Sequence, residues 1–338
     1  MVFLAKKHKV RSWVEILIKT HSFRFIFFYF LIFGVIKSQE DHEIYIDPNK
    51  GDRVYRREGL MNGNQVETIM SNWGTIGRAS GHPYSAVWPR NTGHDHVSEM
   101  SLVVSGKVTS EGNQYTIVSE ALYGGEISSD GSTEWGWQPL PGYASTSLGQ
   151  DTLAINTRGK TWPDKWPGKD SNWNGNWNGY FGLGVENASM ECLYVSDDSK
   201  NAEFDFFPNP SDEKMRGLGL QVETRMFQWV HPLAEDAIFV HYAVTNVGQV
   251  IYGYDNPIFF GMFADTHPGG NGSSDDDSYF DLDENMVYAW DHDNIGRWLT
   301  YADILPGYLG WKFLESPGIS NDNIDNDREG LVYERRDN

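Results

Sequence analysis

The chain has 338 residues and carries 27 Lys and Arg against 47 Asp and Glu, a formal charge of −20. Phosphate-rich partners are held by clustered cations, so this balance excludes nucleic acid and anionic membrane surfaces as natural partners. A single cysteine, Cys192, rules out an intrachain disulfide, and a chain this long can bury a sufficient core without one.

In chain order, the first element is a leader. Lys6, Lys7, Lys9, Arg11, Lys19 and Arg24 precede an unbroken apolar run of twelve residues, Phe25–Ile36. A membrane-spanning helix needs about 20 apolar residues, while a secretory signal core needs roughly 7–15. Residues 1–38 therefore read as a signal peptide helix cut after Ser38, which places the protein outside the cell or on its surface. An uncleaved signal anchor is the alternative, because Ile36 is larger than the residue usual three positions before a cut. After cleavage, residues 39–338 hold 20 basic and 46 acidic side chains, a charge of −26, and no stable membrane span.

The remainder shows no sustained 3.6-residue apolar period. Strand-like segments recur instead, separated by Gly, Asn, Asp and Pro. Ser98–Val108 and Gln114–Leu122 read as a hairpin turning around Ser110-Glu111-Gly112-Asn113. Residues 123–188 are the most turn-rich stretch, and any domain boundary is expected there. Leu218–Val230 reads as a long strand. Ala237–Asn246 alternates with apolar residues on both faces, which predicts a central strand covered on both sides. Pro257–Ala264 and Asn285–Trp290 follow. Strands without intervening helices predict an antiparallel all-β body, a β-sandwich that is either one large unit or two smaller ones.

Three constellations carry candidate chemistry. The first is acidic. The 71 residues between Arg225 and Arg297 hold twelve carboxylates and no Lys or Arg, and nine of the twelve fall within Asp265–Asp293. Calcium takes six to eight oxygen ligands without strict geometry. An acidic loop held between two strands suits it, with Asp265, Asp275, Asp276, Asp277, Asp281 and Asp283 as candidate ligands. A solvated acidic loop is the plainer alternative. At the chain end, within an acidic linker spanning 316–338, Asp325, Asp327 and Glu329 precede Gly330 in the one-three-five-six spacing that opens an EF-hand-like loop. Arg328 intrudes, and position twelve is Arg336.

The second constellation is Thr161–Gly182, with Trp162, Trp166, Trp173 and Trp177 in a polar, glycine-rich context. Exposed indoles beside amides suit stacking on sugar rings, while a loop whose tryptophans fold back onto the sheet is the alternative. The third is histidine. His94 and His96 lie on one side of an extended segment and form a zinc-like pair, but no third ligand stands at a telling spacing, so a surface loop is expected. His241 reads as a core histidine, and His292 between Asp291 and Asp293 is expected to hold its proton more tightly than usual. No nucleophile elbow, zinc-protease helix, phosphate loop or dinucleotide fingerprint is present, so no catalytic residue is assigned. Glu134, Asp164 and Asp170 lie beside tryptophans and are the first carboxylates to test for glycoside chemistry.

Several strings together resemble a family of large bacterial extracellular proteins. They are His-Pro-Tyr-Ser-Ala-Val-Trp-Pro at 82–89, Trp-Gln-Pro-Leu-Pro-Gly-Tyr at 137–143 and Val-Thr-Asn-Val-Gly at 244–248. Gly-Met-Phe-Ala-Asp at 261–265 and Asn-Ile-Asp-Asn-Asp at 323–327 complete the set. Members of that family continue into immunoglobulin-like modules and a type IX secretion sorting domain. The resemblance implies location and modular build rather than an activity. Arg328-Glu329 departs from the expected acidic repeat, and the chain stops at Asn338 before any sorting domain, so it reads as an N-terminal fragment. The expectation is a calcium-stabilised structural or adhesion module, with polysaccharide or another cell-surface component as partner. A carbohydrate-active enzyme is the alternative.

Overall fold

The computed structural model describes residues 50–314, apart from 79–83, 111, 124, 129–130, 132–133, 148–152, 254–255, 271–274 and 299–300, together with residues 2–3 and 32–33. The protein is nearly all β, and the helical segments among the described residues are short 3-10 turns. The principal strands are β1 (Glu58–Met61), β2 (Thr68–Ser71), β3 (Thr75–Gly77), β4 (Val97–Ser110) and β5 (Asn113–Ser119). They are followed by β6 (Met190–Asp197), β7 (Leu220–Gln228), β8 (Phe239–Asn246) and β9 (Ile258–Thr266). β10 (Asp276–Asp281), β11 (Met286–Asp291) and β12 (Leu309–Lys312) complete the series.

Two antiparallel sheets face each other. One runs β9-β4-β3-β2-β1, with β5 also on β4 and Ile32–Phe33 on β9. The other runs Gln138–Pro139, β6, β7, β8, then Val2–Phe3, then β12, β11 and β10. The four leader residues that are described are thus strand residues rather than helical ones; the rest of the leader lies outside the described residues. Alternation supplies the core between the sheets. Met70 and Met100 meet Cys192 and Met226 in one cluster, and Leu102 and Val104 meet Leu220 and Val222 in another. Residues before 123 and after 188 therefore build the same core. At about 25 cal/mol per Å² of apolar surface removed from water, these clusters are the main source of stability.

The β4–β5 hairpin closes as its sequence suggests. Ser110 pairs with Asn113, and Gly112 takes φ +81°, a left-handed conformation that glycine adopts without steric cost. The doubly covered strand is a different one from that expected. Every residue of β6 is buried, because Leu140 and Tyr143 and then residues of 154–177 lie over its outer side. β8 presents Ala243 and Thr245 to solvent, so its second apolar set is an outer surface rather than a second core face.

The acidic run also departs from expectation. Asp276–Asp281 is strand β10, paired residue for residue with β11, and not a loop. It is the outermost strand of its sheet, and its side chains are half-buried or exposed along its whole length. No helix among the described residues is long and apolar enough to cross a membrane.

Candidate functional site

Register on β10 and β11 decides which carboxylates meet. Asp276 stands opposite Asp291, Asp277 opposite Trp290, and Tyr279 opposite Tyr288. Because side chains alternate, Asp276 and Asp291 turn inward beside Ala289, while Asp277, Tyr279, Asp281, Tyr288 and Trp290 share the outward face. Tyr308, one residue before β12, joins that outward face.

The four outward rings form a contiguous platform whose ring planes tilt by 32–53° from one to the next. Ring centroids are 5.7 Å apart for Tyr279–Tyr288, 5.5 Å for Tyr288–Trp290 and 5.9 Å for Trp290–Tyr308. Tyr279 is 55% exposed and the other three are partly exposed. Acidic groups border the rings. His292 Nδ1 lies 2.7 Å from Asp277 Oδ2, and this bond first, then the Asp277 charge, raises the His292 pKa. Asp281 accepts the backbone N–H groups of Asp283 and Glu284 at 3.0 and 3.1 Å, which fixes the turn into β11. Chemically, the face offers apolar ring surface between hydrogen-bonding hydroxyl, imidazole and carboxylate groups.

On the inward side, two carboxyls in direct cross-strand opposition repel. Asp291 is fully buried, and its Oδ1 accepts the Ile295 N–H at 2.9 Å. Asp276 Oδ1 is shielded from solvent and has no hydrogen-bond partner among the described residues. Burial first, then the Asp291 charge, pushes the Asp276 pKa up to about 7, with His267 acting in the opposite sense. The acidic region is not without cations. Arg297, just past the run, pairs with Asp293, lies 3.5 Å from Asp275 and reaches within 4.0 Å of Asp291. Lys312 on β12 holds Glu284 at 2.8 Å.

The expected calcium ligands are therefore dispersed. Asp276 and Asp277 point to opposite faces, Asp281 is engaged in a turn, and Asp283 is exposed. Asp265 is exposed at the end of β9, opposite Glu99. Among the described residues no three His, Cys, Asp or Glu side chains are placed to hold one metal ion. Asp325, Asp327 and Glu329 lie outside the described residues.

Of the two readings of the tryptophans of 161–182, the structure has the one in which they fold back onto the sheet. Trp166 and Trp177 are buried against Leu193 of β6, with Trp162 and Trp173 packed beside them. Their polar N–H groups turn inward: Trp162 donates to Ile155 O at 2.7 Å, Trp166 to Asn176 O at 2.9 Å, and Trp177 to Glu191 Oε2 at 3.0 Å. Lys169 covers the ring of Trp173, 4.4 Å from its centroid. An indole satisfies its N–H before it leaves water, and these three have done so. Asp164 and Asp170 are exposed beside them, Asp170 capping a 3-10 turn.

His94 and His96 are buried rather than on a surface loop. His94 stacks on Trp298 at 4.4 Å, and His96 Nδ1 lies 3.2 Å from Ala86 O. Burial, then the nearby His267, pushes the His96 pKa down to about 4. His267 bridges Asp95 Oδ2 at 3.0 Å and Ser98 Oγ at 3.3 Å, which occupies both ring nitrogens. This is a packed structural cluster. His241 is half-buried on the outer face of β8, edge-on to Tyr180 at 5.1 Å. A cavity of about 70 Å³ lies among Tyr55, Arg57, Leu140, Tyr143 and Tyr194, with no carboxylate in its lining.

The platform was missed in the sequence because its residues belong to three segments and the acidic run drew the reading toward metal. The period-two placement of Asp277, Tyr279 and Asp281 was the available signal. No protein-family model, curated protein or solved structure matches the chain.

Proposed function

We propose that this chain is a secreted or cell-surface adhesion module, stiffened by calcium, that holds polysaccharide on the outward face of β10 and β11. The observation that carries the reading is the four-ring platform of Tyr279, Tyr288, Trp290 and Tyr308. Sugar rings present apolar C–H faces and equatorial hydroxyls. A set of aromatic rings bordered by Asp and His side chains complements both. The leader and the high negative charge support an exterior location.

Retention of the full chain on immobilised polysaccharides tests the reading. At least one glycan should retain it, and Trp290→Ala should weaken retention about tenfold, equivalent to about 1.4 kcal/mol. Retention by none, or by wild type and Trp290→Ala alike, refutes it. Turnover of a retained glycan would instead favour a carbohydrate-active enzyme.

The calcium component rests on the inward pair. A cation shared between the Asp276 oxygen and Asp291 would relieve repulsion that now raises the Asp276 pKa. Millimolar calcium should raise Tm, and Asp276→Asn should cancel the rise. An unchanged wild-type Tm overturns this component alone.

A further inference from the structure

Resting on the glycan reading above, we infer that the platform is selective for sugars bearing free amino groups, such as chains of glucosamine. Alternation places Asp277 and Asp281 on the same face as Tyr279, one on each side of it. A sugar ring stacked on Tyr279 therefore has a carboxylate within reach at both ends. Across the pairing, Tyr288 and Trp290 extend the stacking surface, so a second ring can lie on the same side of the sheet.

Carboxylates outnumber cations around this face. Cations near the region are engaged: Arg297 with Asp293, Lys312 with Glu284, and His292 with Asp277. A polyuronate or sulfated glycan would bring negative charge to an acidic border and be repelled. A neutral glycan would stack without gaining a charge contact. A protonated amine gains one at Asp281 and competes with His292 for Asp277. An exposed ion pair contributes about 0.2–1 kcal/mol, so two such contacts span roughly a two- to thirtyfold preference, and the exchange with His292 at Asp277 keeps the expected value to about three- to tenfold. Added salt should reduce that preference, because these groups are solvated and screened.

The test compares three short oligosaccharides by titration calorimetry at pH 6 with the full chain. They are a glucosamine hexamer, its fully N-acetylated counterpart and a uronate hexamer. The expected order is free-amine hexamer first, the N-acetylated one about three- to tenfold weaker, and the uronate unbound. The double variant Asp277→Asn/Asp281→Asn should bind the two hexosamine ligands equally. Asparagine keeps the carbonyl oxygen that caps the β10–β11 turn, so the fold is retained. Trp290→Ala should weaken both about tenfold.

Equal binding of the amine and N-acetyl forms to wild type overturns the selectivity but leaves glycan binding standing. Uronate binding overturns it as well. Binding of none of the three, with no retention on any immobilised polysaccharide, sinks both readings. The whole chain is acidic, so two remote exposed carboxylates serve as the control. If Asp164→Asn/Glu186→Gln abolishes the preference as fully as the platform variant does, the overall charge accounts for it and the inference fails.

Discussion

The buried ion pair between β6 and β7 offers the sharpest test of how this sheet is held together. Arg225 is 3% exposed and Glu191 fully buried, and Nη1 lies 2.5 Å from Glu191 Oε1. The same nitrogen donates to Asn178 O at 2.7 Å, and Nε donates to Glu223 Oε1 at 2.8 Å. Glu191 Oε2 accepts the Trp177 indole, so the pair ties the Trp166–Trp177 layer to the sheet beneath it. Arg225→Met removes the cation that faces a carboxylate already withdrawn from water and leaves Asn178 O without that donor. Breaking a buried pair on one side costs about 3–5 kcal/mol, a large share of a total stability of about 5–15 kcal/mol. The double variant Arg225→Met/Glu191→Leu removes both charges, so it should recover much of the loss. Guanidinium unfolding followed by circular dichroism measures the wild type, the single variants Arg225→Met and Glu191→Leu, and the double variant. A single-variant loss below about 1 kcal/mol, or a double-variant loss equal to the sum of the singles, would show that the pair is not the desolvated contact its geometry describes.

Other consequences follow from the same interior. Asp198 is buried, accepts the N–H groups of Leu218 and Leu220 and the Ser119 hydroxyl, and has its pKa pushed up to about 7, chiefly by burial. Its folded pKa exceeds the unfolded value, so between about pH 4 and 7 the folded state holds a proton that the unfolded chain has released. Its favourable contribution is complete below about pH 4 and lost as pH rises through 7. The Tm of Asp198→Asn relative to wild type should therefore climb from pH 4.5 to 8; a constant difference contradicts this. Trp166→Ala empties a fully buried site and should cost about 3–5 kcal/mol by denaturant unfolding. It should leave glycan retention of the folded protein unchanged; loss of retention without loss of stability would return the sugar site to the tryptophan segment. Cys192 is buried with its thiol pKa pushed up to about 12 by desolvation. A thiol reagent at pH 8 should label it only in step with unfolding, and immediate labelling of the native protein would refute that burial.

The sheet-forming strands were legible wherever local alternation and turn chemistry agreed. The β4–β5 hairpin carries both, with a glycine at the tip and apolar residues at every second position, and it folds as read. Central placement was not legible, because it depends on what covers a strand. Phe239, one of the β8 residues that suggested a second core face, packs edge-on against Trp229 on the outside. β6 looked unremarkable, yet it is sealed by a segment that arrives from about thirty residues earlier in the chain. A pattern of side chains states which faces are apolar, and only the tertiary fold assigns each face a neighbour.

The acidic run shows the same limit in electrostatic form. Counting charges along the chain found no cation between Arg225 and Arg297, but charge neutralisation acts through space. Arg297 folds back to Asp275, Asp291 and Asp293, and Lys312 reaches Glu284 from β12. Strand alternation divides what remains into two populations with different chemistry. Asp276 is pressed inward against Asp291, where repulsion in a shielded setting raises its proton affinity. Asp277 and Asp281 lie half-exposed beside aromatic rings, Asp277 paired with His292 and Asp281 with one oxygen in the turn, where a ligand cation can reach the remaining carboxylate oxygens. One linear cluster thus yields a candidate cation position on one face and a sugar-facing border on the other, and the two can be disabled independently by Asp276→Asn and Asp277→Asn/Asp281→Asn.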